Sequence, residues 1–439
     1  MVSNSNSVLS VFPISTAIGS DGSIQIAGQS IRDLARDYGT PLYLYDGATV
    51  EHQVGALQKA FAASYKGDSL IAYAGKAYLS LGMAERMAAL GTGVDVVSLG
   101  EIRIAQMTGF DPGVVHLHGN NKSAAELQAA LDWGIQAIVV DSLDELAFLE
   151  GLAARNGRKA RIWLRITPDL AVNTHPHIET SHSGSKFGLH IINGQAAEAI
   201  QRAKASRWLN LVGLHAHLGS QIFDPEPYRR TIEMLYSLAE EQEFVPEELS
   251  PGGGWGVRYT PDDPSDDSAP WVKAVSETVQ MECANRHWPL PRLVLEPGRH
   301  LVARSGVAVY AVGAQKDTPD GLHIIALDGG MADNPRVALY GAKYSAVVVD
   351  RPTAEGTQIS RLVGKFCESG DVLIPEIKLP QVSRHDLMAI PAAGAYQLSM
   401  SSNYNFAARP TVLWLEPGKV KVMQYRESPE DNRWWTGKE

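Results

Sequence analysis

From about residue 42 onward, short apolar runs alternate with stretches whose apolar residues recur at helical spacing. The runs are "SLIAYA" (69–74), "VDVVS" (94–98), "VVHLHG" (114–119), "AIVVDS" (137–142), "RIWLRI" (161–166), "LVGLHAHLG" (211–219), "LSPGGG" (249–254) and "LVLEPGR" (293–299). Helical patterns such as "SAAELQAALDWG" and "EPYRRTIEMLYSLAEEQ" stand between them, and several end in Gly, as helix C-caps do. Strand–helix alternation implies a parallel sheet, and eight units imply a closed α/β barrel of the TIM type. A doubly wound open sheet is the alternative.

After Arg299 the pattern changes. "VAVYAVGAQK", "LHIIALDGG", "SAVVVD", "ISRLVGKF" and "VKVMQYRE" read as strands without helices between them. They predict a C-terminal antiparallel β domain. Residues 1–42 have no place in the barrel count, so that domain is expected to take them in. The expected division is a barrel over 43–300 and a β domain over 1–42 and 301–439.

Composition narrows the class. The chain has 439 residues, long enough for two domains, and a net charge of −10, which disfavours non-specific nucleic-acid binding. No stretch reaches the roughly 18 apolar residues of a membrane span. The first basic residue is Arg32, so no signal peptide is expected and the cytoplasm is the expected compartment. Two cysteines, Cys283 and Cys367, exclude a disulfide scaffold.

Barrel enzymes carry their chemistry at the C-terminal strand ends. Here those ends hold Lys76, Asp95, Ser98, His118, Asn120, Arg165, His215, His217, Ser220, Gly252 to Gly254, Glu296 and Arg299. Lysine is costly to bury, so Lys76 after an apolar run is either a strand reaching the surface or a nucleophile. The glycines of "SPGGGWG", after the seventh run, leave backbone N–H groups free to approach an anion. His215 and His217, two apart, face one side of a strand. Two such histidines and a lysine also suit a metal-dependent hydrolase barrel, with His175, His177 and His182 in a polar insertion nearby. In those enzymes, however, the paired histidines lie on the first strand. A lysine, a phosphate cradle, an imidazole and the carboxylate Glu296 together match the needs of pyridoxal 5′-phosphate (PLP). These are an imine-forming amine, a phosphate site, a ring-stacking group and a partner for the ring nitrogen.

The ordered motifs "YAGKA", "GVDVVSLGE", "HGNNKS", "HPHIETSHSGSKFGL", "HAHLGSQ", "GGGWG", "EPGR", "DGGMADNPRVALYGAKY", "CESGD" and "GAY" resemble those of the diaminopimelate decarboxylases, fold-type III PLP enzymes, over nearly the whole chain. The resemblance implies that Lys76 carries the Schiff base and His217 stacks on the pyridine ring. It implies that Ser220, Gly253, Gly254 and Tyr396 hold the phosphate and Glu296 contacts the ring nitrogen, with Asp95 also at the cofactor. Arg299, Arg336, Tyr340 and Tyr396 are then substrate ligands. Cys367 is the proton donor and Glu368 grips the distal ammonium, both from the partner subunit of a homodimer. No metal is expected.

Arg299, Arg336 and Tyr340 offer donors suited to a distal carboxylate, whereas a simple diamine precursor would need an acidic pocket. Glu296 argues against a racemase, which would place an arginine at the ring nitrogen. The expected reaction is decarboxylation of meso-2,6-diaminopimelate to L-lysine and carbon dioxide. Two departures from the family pattern, Val337 after Arg336 and Ser183 in the polar insertion, leave room for another amino acid with a distal carboxylate. A non-catalytic PLP-binding protein and a metal hydrolase are the alternatives outside that chemistry.

Overall fold

The computed structural model describes residues 8–168, 185–428 and 430. His175, His177, His182 and Ser183 lie outside them. The chain forms two compact units: one comprises Gln53–Gly256 and Asp266–His300, the other the remainder.

In the first unit, among the described residues, eight parallel strands pair in chain order. They are Ser69–Ala74, Gly93–Val96, Val115–Leu117, Ala137–Val140, Ala160–Thr167, Leu209–His215, Glu248–Ser250 and Arg292–Leu295. The eighth pairs back with the first, Leu293 opposite Ser69, and closes the barrel. Leu70, Ala72, Ala137, Val139, Trp163, Val212 and Val294 pack together as its buried core. Serines start four of the intervening helices: Ser80, Ser98, Ser123 and Ser142 each accept a hydrogen bond from a backbone N–H of the first turn. Ser98, expected among the chemical groups of the rim, is such a cap. Gly134 and Gly157 end helices in the left-handed conformation.

In the second unit the spine is the strand Gly306–Asp317. Its first half pairs with Leu42–Asp46 on one side and Leu387–Pro391 on the other, and its second half pairs with His323–Leu327. The sheet is mostly antiparallel, but Gln358–Val363 runs parallel to His323–Leu327, and Thr411–Glu416 parallel to Leu42–Asp46. Phe12, Ile24, Ile26, Ile31 and Leu34 of the N-terminal segment pack with Leu44, Val307 and Leu413 in one core. The division expected after residue 42 therefore falls inside a strand. Leu42–Asp46 is apolar and follows helix Ile31–Tyr38, so it resembles an opening barrel strand, yet its backbone partners are in the β sheet. A short helix, Arg336–Tyr340, also interrupts the run of strands expected to have none.

After the third strand, Lys122 of the "HGNNKS" motif is buried. Its Nζ donates to the Gly119 and Val139 carbonyls, both at 2.6 Å, and to Glu145 Oε1 at 2.7 Å. Burial pulls the lysine down and pushes the glutamate up, and the pair opposes both shifts. Breaking a buried pair leaves an uncompensated charge, worth about 3–5 kcal/mol. Lys122→Met is therefore expected to lower the thermal midpoint by on the order of 10 °C. Adding Glu145→Leu should recover most of that loss in the same calorimetric scan. A Lys122→Met midpoint equal to wild type would show that the pair does not hold this loop.

Candidate active site

The strand ends open into a pocket of about 790 Å³, counting its mouth, within the range of cofactor and small-ligand sites. Lys76, Asp95, His118, Arg165, Phe187, His215, His217 and Glu296 line it. Lys76 sits in the 3-10 turn Gly75–Ala77 directly after the first strand, exposed while Ala74, Gly75 and Ala77 are buried.

Strand register assembles much of this set. Asp95 lies opposite His116 in the ladder, Arg165 opposite His215, and His215 opposite Ser250. Paired residues of a ladder project to the same face, so these side chains turn into the barrel together. Glu296, just past the eighth strand, accepts from Ser250 Oγ at 2.7 Å and from His215 Nε2 at 3.0 Å. Burial by itself would raise its carboxyl. The His215 imidazole beside it and these two hydrogen bonds outweigh that and hold it well below the usual carboxylate range. Asp95 goes the other way: burial, then the Glu296 charge, push it well above that range, against the pull of Lys76. The site thus sets its two carboxyls apart by environment, Glu296 held toward its ionised form and Asp95 pushed toward its protonated one.

Three imidazoles, those of His116, His118 and His217, are held neutral. Burial drives His116 down to about 3, and lowers His118 and His217 as well, with Lys76 adding to the effect on His217. His116 stacks on Trp163 with ring centroids 4.3 Å apart, and neither of its ring nitrogens has a hydrogen-bond partner. His118, His215 and Glu296 each offer a ligand atom within 4.8 Å of the others, a spacing that could hold a cation. Donors already occupy both Glu296 oxygens, and the nearby positive charges of Lys76 and Arg165 oppose a metal there.

The glycine turn after the seventh strand depends on close backbone approach. A Cβ at Gly253 would run into the Glu296 carbonyl, and one at Gly254 into the Gly219 carbonyl. Gly254 also has φ +98°, a conformation that favours glycine. Ser220 accepts from Arg299 Nε at 3.2 Å and Nη2 at 2.9 Å. A lysine amine, an ionised carboxylate for a ring nitrogen, flat neutral imidazoles and a bare glycine turn fit PLP as a donor set.

The other sequence-derived candidates lie in the β unit. Arg336 is buried, donates to Tyr344 Oη at 2.6 Å and lies 4.8 Å over the Tyr259 ring. Tyr340 ends the same short helix and is half-buried. Tyr396 has φ +60°, a backbone strain that flags function at a non-glycine residue. Cys367 and Glu368 are exposed on one turn, whereas Cys283 is buried. The buried carboxylate of Asp371 organises that turn, accepting from Phe366 N at 2.8 Å and from Met331 N at 2.7 Å. Sequence reading passed over Asp371, Phe187, Ser250 and His116. Asp371 stood inside the quoted "CESGD", but only the fold shows what its carboxylate ties.

A closed barrel with a lysine after its first strand, a glycine turn after its seventh and a buried carboxylate after its eighth, joined to a β unit, defines a PLP-dependent barrel enzyme. Residues 48–303 match the family model of the pyridoxal-dependent decarboxylase pyridoxal binding domain. The chain is 40% identical to diaminopimelate decarboxylase of Bacillus subtilis over 415 residues, 93% of this chain and 94% of the relative. It is 38% identical to that of Bacillus methanolicus over 421 residues, 94% and 96% of the two chains. The crystal structure of M. jannaschii diaminopimelate decarboxylase in co-complex with L-lysine superposes with a TM-score of 0.88 at 31% identity, covering 96% of this chain and 97% of that one. The chain belongs to the diaminopimelate decarboxylase family.

Buried neutral imidazoles predict acid lability. A histidine whose folded pKa is depressed takes up its proton more readily when unfolded. Its contribution is present above about pH 6.5 and is lost as pH falls toward the folded value, at up to about 1.4 kcal/mol per pH unit for each such group. For His116 the window runs from 6.5 down to about 3. His116→Phe keeps the stack on Trp163 and deletes two unpartnered nitrogens. Thermal midpoints measured from pH 7 to pH 4.5 should fall less steeply for this variant than for wild type. Parallel curves would mean that His116 is not held neutral.

Proposed function

We propose that the protein decarboxylates meso-2,6-diaminopimelate to L-lysine and carbon dioxide, with PLP as cofactor. One observation carries the reading: a single pocket at the barrel mouth is lined by Lys76, His217 and an ionised Glu296. Bound PLP supplies an electron sink for the pair left behind when carbon dioxide departs. Lys76 holds the cofactor through its Nζ. Glu296 keeps a proton on the ring nitrogen, and His217, neutral and flat, covers a ring face, with Asp95 beside them. Gly253, Gly254, Ser220 and Tyr396 hold the phosphate. Arg299, Arg336, Tyr340 and Tyr396 bind the substrate, the arginines taking its carboxylates by bidentate contact. Cys367 delivers a proton to the carbon that has lost carbon dioxide, and Glu368 takes the distal ammonium.

On this reading the active unit is a homodimer in which Cys367 and Glu368 come from a second copy of the chain, and it works in the cytoplasm. Among the described residues no helix is long and apolar enough to cross a membrane.

The substrate is tested by incubating the purified holoenzyme separately with meso-diaminopimelate, L-lysine and L-ornithine. Carbon dioxide and L-lysine are expected from the first, and no carbon dioxide from the other two. Faster release from lysine or ornithine would reject the distal-carboxylate reading.

Subunit sharing makes a stoichiometric prediction. Lys76→Ala and Cys367→Ala are each expected to be inactive. After exchange in a one-to-one mixture, about half the dimers are mixed, and each has one site with both groups intact. About a quarter of wild-type activity should return. If exchange is demonstrated by mass and activity stays absent, both groups come from one chain.

A further inference from the structure

Tyr228 lies in the first turn of helix Glu226–Glu241, after the sixth barrel strand. It is fully buried, its ring edge-on to Trp271 at 5.1 Å, and its hydroxyl donates to the Gly253 carbonyl at 2.6 Å. A trans peptide places its C=O and the following N–H on opposite edges of one plane. With the Gly253 carbonyl turned to Tyr228, the Gly254 N–H is presented on the other edge.

The rest of the turn is arranged alike. The Gly252 carbonyl accepts from Glu296 N and the Gly254 carbonyl from Ile222 N, each at 3.1 Å. All three glycine carbonyls are thus engaged by protein donors, two of them by backbone and one by a side chain. Among the described residues no acceptor takes the N–H of Gly253 or Gly254. A turn with its acceptors engaged and successive donors on offer is the backbone form of an anion site.

We infer that Tyr228 is a positioning residue for the cofactor's phosphate, acting through the Gly253–Gly254 peptide. The inference rests on the reading of these glycines as the phosphate cradle. Without the hydroxyl, the Gly253 carbonyl would be buried with no donor. The peptide would then rotate toward another partner and carry the Gly254 N–H off its line.

The test compares PLP with pyridoxal, which has the same ring and aldehyde but no phosphate. Dissociation constants for both are measured on wild type and Tyr228→Phe. Wild type is expected to bind PLP far more tightly than pyridoxal. Tyr228→Phe should weaken PLP roughly tenfold, the worth of one misdirected hydrogen bond to a charged group, and move pyridoxal by less than about twofold. Equal weakening of both ligands would assign Tyr228 a packing role only, and an unchanged PLP constant would leave it none; either overturns the inference. A wild type that does not prefer PLP over pyridoxal overturns the cradle reading itself, and the inference with it. Should Tyr228→Phe fail to fold, Trp271→Phe loosens the ring against which Tyr228 is set while keeping the hydroxyl. It should weaken PLP several-fold and spare pyridoxal, whereas equal effects on the two ligands would overturn the proposal.

Discussion

An ionised carboxylate buried in the barrel sets the terms for the rest of this site. Glu296 stands just past the eighth strand, out of contact with bulk water, where an uncompensated charge would cost several kcal/mol. It is kept charged by donors from the two preceding strands, His215 of the sixth and Ser250 of the seventh, which are direct partners in the ladder. A one-residue slip in that register would turn one of the donors away. The eighth loop must also approach the seventh closely enough that only glycine fits at 253. Carboxylate, donors and glycine turn are therefore one construction, built on three adjacent strands.

Charge is apportioned around that carboxylate. Burial, and then the Glu296 charge, push Asp95 toward its protonated form, and burial keeps His116, His118 and His217 neutral. The result is a pocket with fixed hydrogen-bonding roles: an acceptor for a ring nitrogen, neutral aromatic surfaces, and two cationic side chains, Lys76 and Arg165. An arrangement of this kind needs no reorganisation when an anionic, aromatic cofactor enters, because the dipoles and charges are already in place.

The β unit solves a different problem with a similar device. Its candidate groups sit on short, irregular segments, which have little backbone pairing to fix them. Asp371 compensates by accepting from two segments at once, the turn bearing Cys367 and Glu368 and the turn that precedes the Arg336–Tyr340 helix. Gly330 and Gly364 border its carboxylate, where a Cβ would collide with it.

The eight strand–helix repeats were legible in the pattern of apolar residues, because burial on both faces leaves continuous apolar runs whatever their neighbours. The strand-end position of Lys76, the His215–His217 spacing and the glycine cluster were legible for the same reason: each is a local property of a few consecutive residues. The membership of Leu42–Asp46 was not, since an apolar strand of five residues carries no mark of which sheet its backbone will join. Nor were the roles of Ser250, His116, Tyr228 and Asp371. A serine, a histidine, a tyrosine and an aspartate have many uses, and theirs depend on partners such as Glu296, Trp163, Gly253 and Met331, 40 or more residues away except for Tyr228 and its glycine. The sequence by itself determined which residues could bear chemistry and on which strands they would lie. Tertiary structure decided which of them meet in one pocket, which carboxyl is held ionised and which way the glycine peptides face, because register, burial and peptide orientation exist only once the barrel has closed.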